Sequence, residues 1–269
     1  MIDFANAKIN IGLYITEKRK DGYHNIETVF YPIGLEDVME ILPSGQFELT
    51  ETGLATGVPY HKNLVYKAYE MLKEDYGISP VKVYLHKNIP SGAGLGGGSS
   101  DAARMLVMLN NLFELGLSKN CLKNYARRLG ADCAFFIDNK PVLAKEKGDV
   151  FEKIDLDLSQ YRFVVVKPGF SVSTPEAYSL VKPQKHNVSL KNAVKKDITK
   201  WKDLVVNDFE EFLFPKYPYL KQIKDFLYDK GALYASMTGS GSALFGIYPG
   251  DYDNFDDFDF DFFWAQPLK

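Results

Sequence analysis

Ile89-Pro90-Ser91-Gly92-Ala93-Gly94-Leu95-Gly96-Gly97-Gly98-Ser99-Ser100-Asp101-Ala102-Ala103-Arg104 joins an alternating apolar stretch to a helical one. Before it, Val81, Val83 and Leu85 alternate with Lys82, Tyr84 and His86, the period of a half-buried strand. After it, Ala102, Met105, Leu106, Leu109 and Phe113 fall on one helical face, with Ser99 or Ser100 expected as the cap and Asp101 in the first turn. Glycine permits positive φ and close backbone approach to a ligand, and a helix N-terminus presents unpaired N–H groups. Strand, glycine loop and helix together form an anion cradle, and a polyphosphate is the anion it suits. A flexible linker does not run straight into an amphipathic helix. The segment is not a P-loop, because no lysine follows the glycines. Gly92, Gly94 and Gly97 match G-x-G-x-x-G, but the acidic residue a dinucleotide fold needs about 20 positions on is missing; Glu114 falls inside the next helical pattern. A third kind of nucleotide loop is indicated.

The chain has 269 residues, enough for one large or two moderate domains. Apolar content of 46% and charged content of 25% are ordinary for a globular protein. A net charge of −3 argues against a general nucleic-acid binder. Two cysteines, Cys121 and Cys133, are too few for a disulfide framework and fit a reducing, cytoplasmic setting. No signal-peptide pattern is read at the N-terminus, and no apolar run approaches the ~20 residues that span a bilayer.

Outward from the loop, residues 2–15 and 26–33 read as strands, with 37–42 and 46–50 as weaker ones. Asn63 is a helix cap for a stripe of Leu64, Ala68, Met71 and Leu72, closed by Gly77. Ser118 caps a further helix that ends at Gly130. Phe163 to Val166 is a buried-strand signature, Leu220, Ile223 and Leu227 mark a late helix, and residues 235–248 read as strand, glycine turn, strand. Residues 182–202 are Lys-rich and read as a mobile surface segment with a short helix. In the tail, Phe258, Phe260 and Phe262 alternate with Asp259 and Asp261, the pattern of a half-buried terminal strand. Strands cluster early, helices follow and strands return late, which favours α+β. The polar break from Lys145 to Asp149 suggests a boundary near residue 150, giving domains 1–150 and 151–269.

Three more segments carry candidate chemistry. In Ala5-Asn6-Ala7-Lys8-Ile9-Asn10 a lysine sits among small residues on an apolar strand; it points either into a cleft or, with equal weight, to solvent from a sheet edge. In Gly130-Ala131-Asp132-Cys133-Ala134-Phe135-Phe136 a carboxylate precedes an apolar run and has to be paired or capping. Met237-Thr238-Gly239-Ser240-Gly241-Ser242 is a second glycine turn with hydroxyls, suited to closing over phosphates or to a plain hairpin.

In this order, Lys8 with Asn10, the loop Pro90 to Ala103, and Thr238 to Gly241 resemble the three motifs of the GHMP small-molecule kinases. Asp21-Gly22-Tyr23-His24-Asn25-Ile26-Glu27-Thr28, Gly130-Ala131-Asp132 and Ser173-Thr174-Pro175-Glu176-Ala177-Tyr178 narrow the resemblance. They are similar to the branch acting on cytidine diphosphate-linked methylerythritol in the non-mevalonate route to isoprenoid (terpenoid) precursors. The resemblance spans residues 3 to about 248. It implies a two-domain α+β fold with ATP and substrate in the cleft between domains, and transfer of the γ-phosphate to the erythritol 2-hydroxyl. It implies Asp132 as the base and Lys8 as its partner. Pro90, Ser91, Gly92, Ala93, Gly94, Leu95, Gly96, Gly97, Gly98, Ser99 and Ser100 would hold the phosphates of ATP, with Mg²⁺ as the counter-ion and its protein ligand left open. Asn63 is placed toward the adenosine ribose, although capping explains it equally well. Tyr23, His24 and Tyr178 are implied at the cytosine, Asn10 near the substrate diphosphate, and Thr238, Gly239 and Ser240 over the substrate. The partner is then a small molecule, not nucleic acid or membrane. The competing readings are another kinase of the superfamily (homoserine, mevalonate or sugar) and a nucleotide-binding protein without catalysis.

Overall fold

The computed structural model describes residues 1–54, 56–253 and 262–266. The chain forms two compact units, the first made of Met1–Ala7, Leu35–Ser91 and Gly96–Lys140, the second of Lys8–Gly34, Gly92–Leu95 and Pro141–Lys269. Strands β1 (Ile2–Lys18) and β2 (His24–Pro43) run through both, so the chain crosses between units more than once. Residues 26–33 and 37–42 are therefore one long strand rather than two.

In the first unit, β3 (Glu48–Gly53) pairs parallel with β4 (Val81–Lys87), and β4 pairs antiparallel with the second half of β2. A parallel neighbour requires a crossover, and α1 (Leu64–Tyr76) supplies it. Asn63 caps α1 through Val65 N at 2.9 Å, and Gly77 ends it at φ 63°, both as the sequence predicts. α2 (Gly97–Leu112) and α3 (Lys119–Leu129) pack with α1. Their apolar stripes bury Ala68 and Leu72, Met105, Leu106 and Leu109, and Leu122 and Ala126. Ser118 caps α3 as expected, accepting from Cys121 N. A short helix α4 (Phe135–Asp138) closes the unit. The cap of α2 differs from expectation. The helix starts at Gly97 with Gly96 as the cap residue, so Ser99 and Ser100 lie inside its first turn and Asp101 just beyond that turn. Gly96 takes φ 73°, a left-handed conformation that serine adopts only with strain, and this sets the start three or four residues early.

In the second unit, the first half of β2 pairs antiparallel with β5 (Val142–Glu146), which pairs with β6 (Val150–Lys153). The polar break from Lys145 to Asp149 is thus the turn of a hairpin inside this unit, not a boundary. A separate antiparallel sheet contains β7 (Tyr161–Val166), β8 (Tyr234–Met237), β9 (Leu244–Pro249) and β10 (Phe262–Ala265), in the order β10-β7-β9-β8. Residues 254–261, including Phe258, Phe260 and the two intervening aspartates of the predicted terminal strand, lie outside the described residues; the strand seen starts at Phe262. Helices α5 (Thr174–Leu180), α6 (Leu190–Ala193), α7 (Trp201–Leu204), α8 (Asp208–Lys216) and α9 (Pro218–Asp229) complete the unit. Leu213, Leu220, Ile223 and Leu227 pack with Val164, Val166, Ala235, Met237 and Leu244 in one core. Residues 182–202 are more tied down than their lysines suggest. Leu190, Ala193, Ile198 and Trp201 are buried, and Leu190 N donates to Glu27 Oε1 at 2.8 Å. Four apolar anchors at short spacing outweigh the charged surface between them.

Candidate active site

The three motifs that the sequence sets far apart meet within the second unit. β1 places Lys8 and Asn10 on the same side of the strand, two residues apart. Lys8 is 3% exposed, which excludes the solvent-facing alternative. Its Nζ donates to Asn10 Oδ1 at 2.5 Å and lies 4.6 Å from the centre of the Phe30 ring. Asn10 Nδ2 donates to Thr28 Oγ1 at 3.0 Å, and that hydroxyl donates to Gly12 O at 2.6 Å. The lysine is therefore held by a carboxamide whose other end is itself fixed.

Residues 92–95 of the glycine loop are joined to this strand and to the second glycine turn by polar bonds. Lys8 N donates to Leu95 O at 2.9 Å, Ala243 N to Ala93 O at 3.3 Å, and Thr238 Oγ1 to Gly94 O at 3.1 Å. Gly94 has φ 78°, and a Cβ there would stand 2.2 Å from Thr238 O, so only glycine allows the two loops to touch. Thr238 is fully buried; its Oγ1 also accepts from Asn10 N at 3.0 Å. Its hydroxyl is committed to holding the loops together. Ser240 Oγ lies 3.1 Å from Thr174 Oγ1, and Gly239, at φ 57°, comes close to Asn10 Oδ1 and Gly94.

The remainder of the loop belongs to the first unit. No side chain caps α2, so its first N–H groups are left for another acceptor. A Cβ at Gly98 would meet nothing within 4 Å, so the first turn faces open space. An uncapped helix start flanked by glycines and open space fits a phosphate group. Cys133 hydrogen-bonds the Ser99 side chain, and burial pushes its thiol up to about 11. This contact sets the α2 start beside the turn that carries Asp132, a half-buried carboxylate preceding α4. Asn63 is engaged twice in the same unit, through Val65 N and by donating to Glu51 Oε1 at 2.5 Å.

Further along the second unit, α5 begins as Ser173-Thr174-Pro175-Glu176, with Ser173 Oγ accepting from Glu176 N at 3.3 Å and proline in the first turn. That start fixes Tyr178, whose ring stacks on His24 at 5.1 Å and 26°. Tyr178 also meets Phe209 edge-on at 5.0 Å. Burial, helped by Lys18, holds His24 below the ordinary histidine range, so its ring is neutral near pH 7. Tyr23 points outward, 63% exposed, with Lys147 Nζ 5.3 Å from its ring centre. His24 and Tyr178 touch, leaving no room for a flat ring between them, and Tyr23 is the exposed aromatic face of this group.

Comparison with known proteins identifies the family. Residues 63–140 match the GHMP kinases N terminal domain and residues 189–255 the GHMP kinases C terminal domain. The chain is 52% identical over 252 residues to the 4-diphosphocytidyl-2-C-methyl-D-erythritol kinase of Bacteroides fragilis, covering 92% of each chain. A crystal structure of 4-(cytidine 5'-diphospho)-2C-methyl-D-erythritol kinase superposes with a TM-score of 0.80 at 34% identity, covering 92% of this chain and 90% of that one. The chain belongs to the GHMP kinases. The mevalonate kinase of Methanococcus jannaschii, at 16% identity and a TM-score of 0.74, shares the fold with this GHMP kinase.

Two groups of residues in this GHMP kinase escape the sequence reading. Asn207 is 2% exposed, caps α8 through Phe209 N, and donates from Nδ2 to Met237 O at 2.8 Å and Gly239 O at 2.9 Å. It brackets Thr238 from both sides. Its signal is the capping pattern Asn207-Asp208-Phe209-Glu210. Asp37 and Lys87 are buried beneath the glycine loop. Their signal is register: Asp37 lies on the inward face with Leu35, Met39 and Ile41, and Lys87 continues the inward series Val81, Val83, Leu85.

Proposed function

We propose that this GHMP kinase transfers the γ-phosphate of ATP to the 2-hydroxyl of 4-diphosphocytidyl-2-C-methyl-D-erythritol. Identity of about one half over nine-tenths of the chain to relatives bearing that enzyme name supports the substrate. The observation that carries the reading is the neutral, half-sandwiched His24 against Tyr178 beside the exposed Tyr23. Mevalonate and homoserine have no base to use such a group, whereas cytosine offers a flat face for Tyr23 and an edge for hydrogen bonds.

In this reading the first turn of α2 and the backbone of residues 92–98 hold the phosphates. Asp132 accepts or orients the proton of the attacking hydroxyl. Lys8 is its partner in the reaction, supplying positive charge for the charge that develops on the transferred phosphoryl group. Asn10, Thr28, Thr238 and Asn207 keep Lys8 and the loops in place, so most of the rate enhancement comes from positioning and fixed charge. Ser240, half-buried, lies at the rim of this network toward the substrate, with Gly239 buried behind it. Among the described residues no group of three His, Cys, Asp or Glu side chains is suited to a metal ion. Mg²⁺, when bound with ATP, would neutralise phosphate charge, and its chemistry favours phosphate oxygens and water as ligands. The protein acts on a small molecule, in the cytoplasm.

The test is ADP release with Mg-ATP, comparing the cytidine substrate with its uridine analogue. Rapid turnover of the first and at least tenfold less of the second is expected. Equal turnover of both would remove the role given to Tyr23 and His24, and turnover of mevalonate or homoserine alone would replace the substrate.

A further inference from the structure

Beneath the start of the glycine loop, three charged side chains of the first unit are shut away from water. Lys87, at the end of β4, is 2% exposed; Asp37, on β2, is fully buried; Asp101, on α2, is 3% exposed. Lys87 Nζ donates to a carboxylate oxygen of each, Asp37 Oδ2 and Asp101 Oδ2. Two carboxylates on one ammonium leave surplus negative charge in an apolar setting, an arrangement that a simple core position would not retain. Neither carboxylate is a bystander. Asp37 Oδ1 accepts from two successive backbone groups, Asn88 N at 2.6 Å and Ile89 N at 2.8 Å. Asn88 Nδ2 adds a bond to Glu36 O at 2.9 Å. These are the residues by which the chain leaves β4 and enters Pro90. Asp101 stands where the chain has left the loop and become α2. The two ends are also in steric register: a Cβ at Gly97 would come within 2.9 Å of Ile89 Cγ2.

We infer that Asp37, Lys87 and Asp101 are positioning residues that clamp both ends of the phosphate-binding loop, setting the first turn of α2 in place before ATP arrives. The clamp spans from β2 through β4 to α2, and none of the three side chains is free to meet the nucleotide itself. Asp101 Oδ1 is buried without a hydrogen-bond partner, and the carboxylate is committed through Oδ2 to Lys87. A loop of glycines has many conformations to lose on ordering. Fixing its ends in the folded protein removes part of that loss from nucleotide binding.

The inference rests on the kinase reading, and calorimetry with a non-hydrolysable ATP analogue separates the two, because it needs no turnover. Asp101→Ala is expected to raise the Kd for the analogue and the KM for ATP at least tenfold, with the KM for the alcohol substrate within twofold. Asp101→Asn, which keeps an acceptor oxygen for Lys87, is expected to bind the analogue within threefold of the parent protein. If Asp101→Ala does not fold, Lys87→Met in the Asp37→Asn, Asp101→Asn background removes the clamp and all three charges together, and the same tenfold loss is expected. A lower Tm with unchanged Kd for the analogue would overturn the inference. So would equal rises in both KM values, which a general loss of structure produces.

Discussion

At the residue scale the site turns on how few polar atoms are left over. Lys8, Asn10, Thr28 and Thr238 are all buried, and each hydrogen-bonds another member of the set. A buried ammonium left without such bonds would be costly to keep out of water, and this network satisfies it. Asp132 is half-buried, at a turn, and is the base of the proposed reaction. Replacing it with asparagine preserves shape and removes the base. Asp132→Asn is expected to lower kcat by about 10²–10⁴-fold, the range of general-base catalysis. Affinity for a non-hydrolysable ATP analogue should change little in the same variant. Single-turnover kinetics check this, and near-normal turnover would show that another group takes the proton.

Elements set how the glycines are used, and each glycine is required for a different reason. Gly94 needs its positive φ and its missing Cβ because Thr238 O lies where the Cβ would be. Gly98 has ordinary helical geometry and open space in front of it. The two therefore respond in opposite senses to alanine. Gly98→Ala is expected to raise stability by about 0.5–1 kcal/mol, the helical preference for alanine, while raising the KM for ATP because the new methyl enters the phosphate space. Gly94→Ala is expected to lower stability by more than 1 kcal/mol through strain at positive φ and the clash between loops. Chemical denaturation beside ATP kinetics reads both; a Gly98→Ala protein with unchanged ATP binding would move the phosphates away from α2. The strands and helices that frame these glycines were legible in advance for the same local reasons. Asn63, Gly77 and Ser118 bound their helices through bonds to residues two to four positions away. The start of α2 was misplaced because a left-handed glycine outcompeted the usual serine cap, a choice that depends on what the loop touches.

For the molecule as a whole, stability carries a pH signature from the clamp. Burial, with Asp37 adding to it and Lys87 opposing it, pushes Asp101 up to about 7. Burial works against the charge on Lys87, but Asp101 and Asp37 hold its ammonium above the usual lysine range. In the unfolded chain Asp101 returns to about 3.9. Between these values the folded state binds more protons, so this group stabilises fully below pH ~4 and its contribution is lost as pH rises through about 7. Denaturation of the parent protein and Asp101→Asn at pH 5 and pH 8 measures this. The variant is expected to lose less stability on going to pH 8, by up to a few kcal/mol. Equal losses would mean that Asp101 is ionised throughout.

The sequence by itself determined the strand, glycine loop and helix around residues 81–113, the caps of α1 and α3, and each family motif, because each is written in residues close together in the chain; the α+β class followed from their order. Only the tertiary structure decided that Lys8 is buried, that Thr238 is a fastening between loops, that Lys87 joins Asp37 and Asp101, and that Asn207 holds both sides of Thr238. The reason is distance along the chain. Asn10 and Thr238 are 228 residues apart, and Lys87 reaches Asp37 across 50. A buried polar group gains its meaning from the partner that satisfies it, and no local pattern names that partner.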